Sequence, residues 1–439
     1  MYRVFPLLLL LVAVPAVAQT DNISNAGSVY SRFGLGERHT FGSSQSDAMG
    51  GAGIALRSAI YHNLHNPAHS ADLGVTTLGV QIEFNAVDVQ NAAGEQSRYG
   101  AGGLGGLQIG VPLLQDRLGL SASFRPYSRV NYRTTDSGTF TGIEGENQRF
   151  VVNYEGGGGL QEIQGGLGLR LGTALQVGGR ADVVFGVIDY SQRTDFPDGG
   201  NIYQTVRTNT STNLLGVTGT VGAIYSARFG TSRMLTLGGT LTLPTRLSGE
   251  RRSTFGQGFR EDSLGVPQSG NVSLPMRAGF GLAYFAGPRW SLAADVEFEP
   301  WSKFESDFVF GGYRPGHGPG ATQSELRDRF RTGVGAQFLP GGGDRQAAFP
   351  SRVAYRVGAY YEQGLASPDG SGINAQAVTL GFSLPTAMPT ARIDLGFEAG
   401  TRGSTAITTE GRGLVRDLFF KGTLTLNFGE RWFVRRLLG

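Results

Sequence analysis

Cysteine is missing from all 439 residues, so no disulfide framework, thiolate metal site or cysteine nucleophile is available. Histidine is scarce, at five residues, and neither a G-x-S-x-G elbow nor a P-loop occurs, which removes the usual starting points for a hydrolase or a nucleotide enzyme. Charge of one sign is lacking too. The net charge is only +3, and lysines and arginines are scattered rather than gathered into a stripe with stacking aromatics, which speaks against nucleic acid as a partner. Beyond the first eighteen residues no apolar run is long enough to cross a bilayer as a helix. The 70 glycines follow no three-residue period, which excludes collagen, and 40% hydrophobic residues argue against general disorder.

What is present begins with an export signal. Arg3 precedes an apolar run over residues 4–14 and a small-residue site, Ala16-Val17-Ala18, so the sequence predicts a secretory signal peptide cut before Gln19. An exported chain without disulfides needs another closure, and a β-barrel supplies one by pairing every strand with a neighbour. From about Thr76 onward the dominant period is two. Trp290, Leu292, Ala294, Val296 and Phe298 fall on one face, opposite Ser291, Ala293, Asp295 and Glu297. Leu418, Phe420, Gly422, Leu424, Leu426 and Phe428 repeat the pattern near the C-terminus. A mean hydropathy of −0.12 suits such a wall, because only alternate residues face lipid while the rest line the lumen.

Connections give an independent test. Short links at residues 112–116, 229–233, 287–289 and 385–390 alternate with longer polar stretches at 134–147, 192–213, 248–271, 303–325 and 403–413, as periplasmic turns alternate with extracellular loops. Residues 149–171 keep this alternation if they form one strand interrupted by Gly156, Gly157, Gly158 and Gly159. The expected fold is therefore all-β, a transmembrane antiparallel barrel of about fourteen strands with an N-terminal plug in its lumen. Its parts are a signal peptide over 1–18, a plug or hatch over 19–73, the barrel over 74–428 and a short basic tail over 429–439. A water-soluble sandwich or propeller is the structural rival, since half-buried soluble strands alternate as well.

Ser46-Asp47-Ala48-Met49-Gly50-Gly51-Ala52-Gly53-Ile54-Ala55, followed by Asn66-Pro67-Ala68, resembles the plug of the FadL/TodX family of outer-membrane transporters, where a glycine-rich stretch and an N-P-A triplet precede the barrel. A second patch begins at Leu274-Pro275 and runs through Trp290, Asp295 and Trp301-Ser302, and it is similar to that family's late hairpin. Tyr30 to Gly36 and Trp432 to Arg436 resemble the branch found in Bacteroidetes-type bacteria. The resemblance implies a Gram-negative outer-membrane channel for passive uptake of hydrophobic small molecules, such as long-chain fatty acids or aromatic hydrocarbons, leaving through a gap in the wall. It also implies a kinked third strand at that gap, whereas the glycine run falls in the fourth. The alternative within the same architecture is a non-transporting barrel that serves as an assembly or shuttle partner in protein secretion. An apolar lumen favours the first and a sealed polar lumen the second.

Candidate residues follow. Gly50, Gly51, Gly53, Asn66, Pro67 and Ala68 are plug or gating candidates, and Gly156 to Gly159 are a possible discontinuity of the wall. His62, His65 and His69 fall within eight residues, but Pro67 interrupts any helix that would gather them on one face, so they read as polar plug side chains. Asp295 and Glu297 share the lumen face and read as acids contacting plug or arginine rather than as a catalytic pair. His39 and His317 lie outside the assigned strands. No enzyme activity, cofactor or metal is expected. The expected partners are a hydrophobic ligand, outer-membrane lipid and lipopolysaccharide, with the chain as a monomer.

Overall fold

The computed structural model describes residues 27–430, apart from 143–144, 199–201, 258–259, 317–320 and 389. The expected signal peptide, the start of the plug, His317 and the Trp432 to Arg436 patch lie outside the described residues. Fourteen antiparallel strands close into a barrel. They are β1 (Thr76–Asn91), β2 (Gln96–Leu114), β3 (Leu118–Pro126 continuing as Tyr132–Thr141), β4 (Asn147–Leu171), β5 (Leu175–Asp195) and β6 (Val206–Phe229). Then come β7 (Arg233–Thr242 and Thr245–Gln257) and β8 (Arg260–Ser263, Gln268–Leu274 and Arg277–Ala286). β9 (Trp290–Glu299), β10 (Arg329–Phe338), β11 (Ala354–Gln363), β12 (Asn374–Pro385), β13 (Arg392–Gly403) and β14 (Val415–Glu430) complete the wall. β14 pairs back onto β1 from Thr76↔Glu430 to Asn91↔Val415, which closes the ring.

The period of two has the physical meaning read from the sequence. In β9, Trp290, Leu292, Val296 and Phe298 are exposed on the outside, whereas Ser291, Ala293 and Asp295 are buried inside. Val217, Phe280, Val334, Val378 and Phe420 continue the outward apolar band around the ring. No helix of the described residues is long and apolar enough to cross a membrane.

Strand length is uneven. A crossing strand needs about ten residues, yet β4 has 25, β5 has 21 and β6 has 24. At about 3.3 Å per residue β4 is about 80 Å long, and with a tilt near 40° it rises about 60 Å, well beyond an apolar band of about 25 Å. The polar stretches 192–213 and 248–271 are thus largely strand, and β7 pairs with β8 across Thr245↔Leu274 to Arg251↔Gln268. They lack the period of two because no lipid selects an apolar outer face on a wall raised above the membrane. Residues 301–313 fold against the inner side of this raised wall. Trp301, Phe304, Phe308 and Phe310 pack there with Leu214, Leu247 and Val272 in one buried apolar cluster.

Residues 27–75 touch every strand of the ring and are therefore enclosed by it. Their partners include Glu83 on β1, Gly106 on β2, Arg125 on β3, Gly168 on β4 and Gln176 on β5. Ala223 on β6, Thr236 on β7, Gly281 on β8, Asp295 on β9 and Arg331 on β10 follow. Arg356 on β11, Thr379 on β12, Asp394 on β13 and Asn427 on β14 complete the circle.

Candidate functional site

The glycine-rich stretch is where plug backbone meets wall backbone. Gly50 and Gly51 have φ of +70° and +79°, a region that side chains with a Cβ disfavour. A Cβ on Gly50 would also overlap the Ala359 carbonyl, and one on Gly335 or Gly358 of the wall would run into Met49. Glycine on both sides therefore permits contact that no other residue allows. Gly50 N donates to Thr379 Oγ1 at 3.0 Å, and Arg331 Nη2 donates to Gly50 O at 3.2 Å. Gly53 N and Ile54 N both donate to Asp295 Oδ2, at 2.6 and 2.7 Å.

The N-P-A triplet works in the same way. Asn66 Oδ1 accepts from Ala68 N at 3.0 Å and caps the short 3-10 helix Pro67–Asp72, with Pro67 in its first turn where no N–H is needed. Its Nδ2 donates to Ile54 O at 3.0 Å and to Ala223 O at 3.1 Å, tying two parts of the plug to β6. Of the six plug candidates, Gly50, Gly53 and Asn66 hydrogen-bond the wall, whereas Gly51 lies against Arg331 and Pro67 and Ala68 lie against Gly178. Trp290, Asp295 and Trp301 do not converge. Trp290 stacks on Phe338 at 4.4 Å outside the barrel, Asp295 holds the plug, and Trp301 is buried under the raised wall, donating to Glu299 Oε2 at 2.8 Å.

The three neighbouring plug histidines stay apart in their bonding. His69 Nε2 meets Gly53 O at 3.0 Å, His65 Nδ1 lies 3.7 Å from Glu297, and the His62 ring nitrogens have no hydrogen-bond partner. Burial pushes His62 down to about 3 and His69 to about 4, so both are neutral at neutral pH. Burial likewise takes His39 to about 4, and its 3.0 Å contact with Glu83 is then a neutral N–H donating to a carboxylate. Among the described residues no group of three or more acids and histidines is placed to hold a metal.

The third strand is kinked, as the resemblance implied, and the residues that form the kink are what sequence reading missed. β3 is laddered to β2 only from Leu114↔Leu118 up to Leu107↔Phe124. After Pro126 the chain turns inward, and Ser128–Arg129 pairs with a short plug strand, Glu37–Arg38. Tyr127 N and Val130 N still donate to Leu160 O and Gly158 O of β4, so that side of β3 remains closed. Facing the kink are the four glycines of β4, with Gly158 at φ +86° and Gly159 at φ +133°. A Cβ on Gly159 would overlap the Ser128 carbonyl, whereas one on Gly157 meets nothing within 4 Å. The glycine run makes room for the kink; the break in the wall itself lies on the other side of β3, toward β2. Its signal was present in Pro126, which lacks a ladder donor, and in the loss of alternation through Asn131.

This break is a window. Leu104 pairs with Ile82 on β1, whose side chain is exposed in the apolar band, so the opening starts within the membrane. Arg129 spans it: its Nη2 donates to Leu104 O at 3.0 Å, and its Nη1 pairs with Glu83. Lys421 Nζ lies 3.6 Å from the same Glu83. Behind the window is a lumen cavity of about 610 Å³. Leu104, Phe124, Leu365, Ile373 and Phe419 contribute apolar lining, and Glu83, Arg129, Arg331, Glu362, Arg402 and Lys421 a charged ring. Arg329 beside it bonds Glu299 at 2.9 Å and Glu362 at 3.0 and 2.7 Å.

The BamG family model matches residues 1–438. The chain belongs to the BamG family. No curated protein matches this BamG-family chain. Solved structures with the same fold include the toluene transporter TbuX of Ralstonia pickettii, at TM-score 0.55 and 16% identity over 89% of this chain and 98% of that one. A FadL homologue of Pseudomonas aeruginosa gives 0.56 and 13% over 89% and 98%. The Pseudomonas putida toluene transporter TodX gives 0.53 and 13% over 91% and 100%. At such identity the likeness is one of fold: this BamG-family chain is a closed fourteen-stranded transmembrane barrel of the FadL/TodX type.

Proposed function

We propose that this barrel admits hydrophobic small molecules, such as long-chain fatty acids or aromatic hydrocarbons, and releases them sideways through the window between β2 and β3. The observation that carries the reading is the interrupted ladder above Leu107↔Phe124, which connects a lumen cavity with the apolar band. A solute leaving there enters lipid without crossing the plugged lumen. Each methylene moved from water to an apolar path gains about 0.8 kcal/mol, which drives capture without an energy source. TbuX and TodX, named as toluene transporters, share the fold and support the reading. In this proposal the chain is exported by a cleaved signal peptide, works as a monomer among outer-membrane lipid and lipopolysaccharide, and needs no cofactor or catalysis.

The test is uptake of labelled long-chain fatty acid, and separately of toluene, in a deletion strain carrying the wild-type gene, Gly103→Trp or no gene. A Cβ on Gly103 meets only the tip of Arg129 at 3.8 Å, so the indole fills the window without displacing backbone. Uptake should fall to the deletion level in Gly103→Trp while the barrel still assembles. Equal uptake in all three strains refutes the proposal.

A second reading is favoured by one observation: much of the lumen is charged and tied by buried ion pairs, such as Arg125 with Glu162 at 2.9 Å and Arg356 with Asp394 at 3.3 Å. That chemistry suits a sealed barrel acting as an assembly or shuttle partner in protein secretion. Unchanged uptake together with depleted outer-membrane proteins in the deletion strain selects it.

A further inference from the structure

The residue that spans the window is anchored at three places of unequal strength. Its backbone is clamped by the plug: Ser128–Arg129 pairs with Glu37–Arg38, and Ser128 Oγ donates to Leu35 O at 2.7 Å. Gly36 lies so close that a Cβ there would overlap the Arg129 carbonyl. The backbone of Arg129 is therefore fixed, and what freedom remains belongs to its side chain. One arm of the guanidinium, Nη1, is paired with the Glu83 carboxylate on the lumen side. The other arm, Nη2, reaches across the opening to Leu104 O at 3.0 Å.

These two side-chain anchors differ in kind. Glu83 is a buried carboxylate that also meets His39 at 3.0 Å and Lys421 at 3.6 Å, so it stays within a charged group whatever the second arm does. Leu104 O is a neutral carbonyl on the rim and holds a cation less firmly than a carboxylate does. On the β2 side nothing else fills the gap, because a Cβ on Gly103 would meet Arg129 Nη2 at 3.8 Å and no other atom within 4 Å. The cavity of about 610 Å³ lies directly behind and gives the guanidinium room to fold back toward Glu83. We infer that the Arg129 side chain is the gate of the window, closed while Nη2 holds Leu104 O and open when the guanidinium lies on Glu83 alone. The inference rests on the reading of the window as a lateral exit and names the residue that controls it.

Because the chain has no cysteine, Ala375→Cys places a single thiol among the residues that line the cavity. The full chain in lipid nanodiscs is treated with N-dodecylmaleimide, which dissolves in the bilayer and reaches that thiol through the window. A parallel sample receives a sulfonated maleimide, which arrives from water. Arg129→Lys offers one nitrogen where arginine offers two, and the Glu83 charge claims it; Arg129→Ala removes both anchors. In each variant labelling by the alkyl reagent should accelerate at least fivefold, with the sulfonated reagent within twofold of the parent. An alkyl rate in Arg129→Lys within twofold of the parent, or equal acceleration of both reagents, overturns the inference. Alkyl labelling that is present but insensitive to Arg129 refutes the gate alone, whereas its absence from every barrel refutes the lateral exit and the gate with it. Gly103→Asp and Gly103→Asn test the same point with Arg129 intact. The two side chains match in size, but the aspartate carboxylate holds the guanidinium in the gap, so alkyl labelling should be at least threefold slower in Gly103→Asp. Equal rates in that pair overturn the inference even if neither Arg129 variant assembles.

Discussion

Asp295→Ala tests how firmly the plug is held. The Asp295 carboxylate is buried and accepts two backbone N–H groups of the plug, Gly53 at 2.6 Å and Ile54 at 2.7 Å. Hydrogen bonds to a charged acceptor contribute about 1.5–3 kcal/mol each, so removing the oxygen that accepts both weakens docking by about 3–6 kcal/mol. At 1.4 kcal/mol per tenfold, the undocked population should rise by about two to four orders of magnitude, less if water enters the space vacated by the carboxylate. Because the chain has no cysteine, one reporter can be introduced cleanly. Ser70 is buried in the plug and its hydroxyl has no hydrogen-bond partner, so Ser70→Cys sacrifices no bond. Maleimide labelling of that thiol in the assembled barrel should accelerate by at least a hundredfold in Asp295→Ala. Asp295→Asn keeps an acceptor without the charge and should accelerate it by about tenfold. A labelling rate within threefold of the parent in Asp295→Ala would refute the assignment of Asp295 as a plug anchor.

Further perturbations address the remaining features. Gly159→Val should impair assembly, since its φ is +133° and a Cβ there overlaps Ser128, whereas Gly157→Val should assemble normally; heat-modifiable gel migration separates the two outcomes. Acid should loosen the plug. His62 and His69 bind protons near pH 6.5 when exposed but only near 3 and 4 when buried, so stability is lost as pH falls below about 6.5. At pH 5 the loss is about 2 kcal/mol per histidine, and calorimetry should show a drop in melting temperature from pH 7.5 that shrinks in His62→Gln/His69→Gln. An identical pH dependence in that double variant counts against the reasoning. Arg329→Met strands the carboxylates of Glu299 and Glu362 and should cost about 3–5 kcal/mol in urea unfolding, largely recovered when both glutamates become glutamine.

Much of the architecture was written along the chain. The period of two in residues 290–298 and 418–428 marked the lipid face because hydrocarbon touches every second side chain and enforces apolarity there. The glycine-rich stretch and the N-P-A triplet were legible as special backbone, and the structure gives both an anchoring geometry. Asp295 was legible as a lumen acid, although its two bonds to Gly53 and Ile54 were not.

Sequence by itself thus determined the class of fold and the sidedness of each strand, since those depend on which solvent a residue meets. The resemblance pointed to the third strand, but the tertiary structure alone decided on which side of it the wall opens, which arginine spans the opening and which charges ring the cavity. Arg129 and Glu83 are separated by 46 residues, and Leu104 belongs to yet another strand, so their meeting depends on register and closure around the ring. The raised wall stayed hidden for a related reason: where no hydrocarbon touches the outside of a sheet, nothing enforces every second residue to be apolar, and strand and loop look alike.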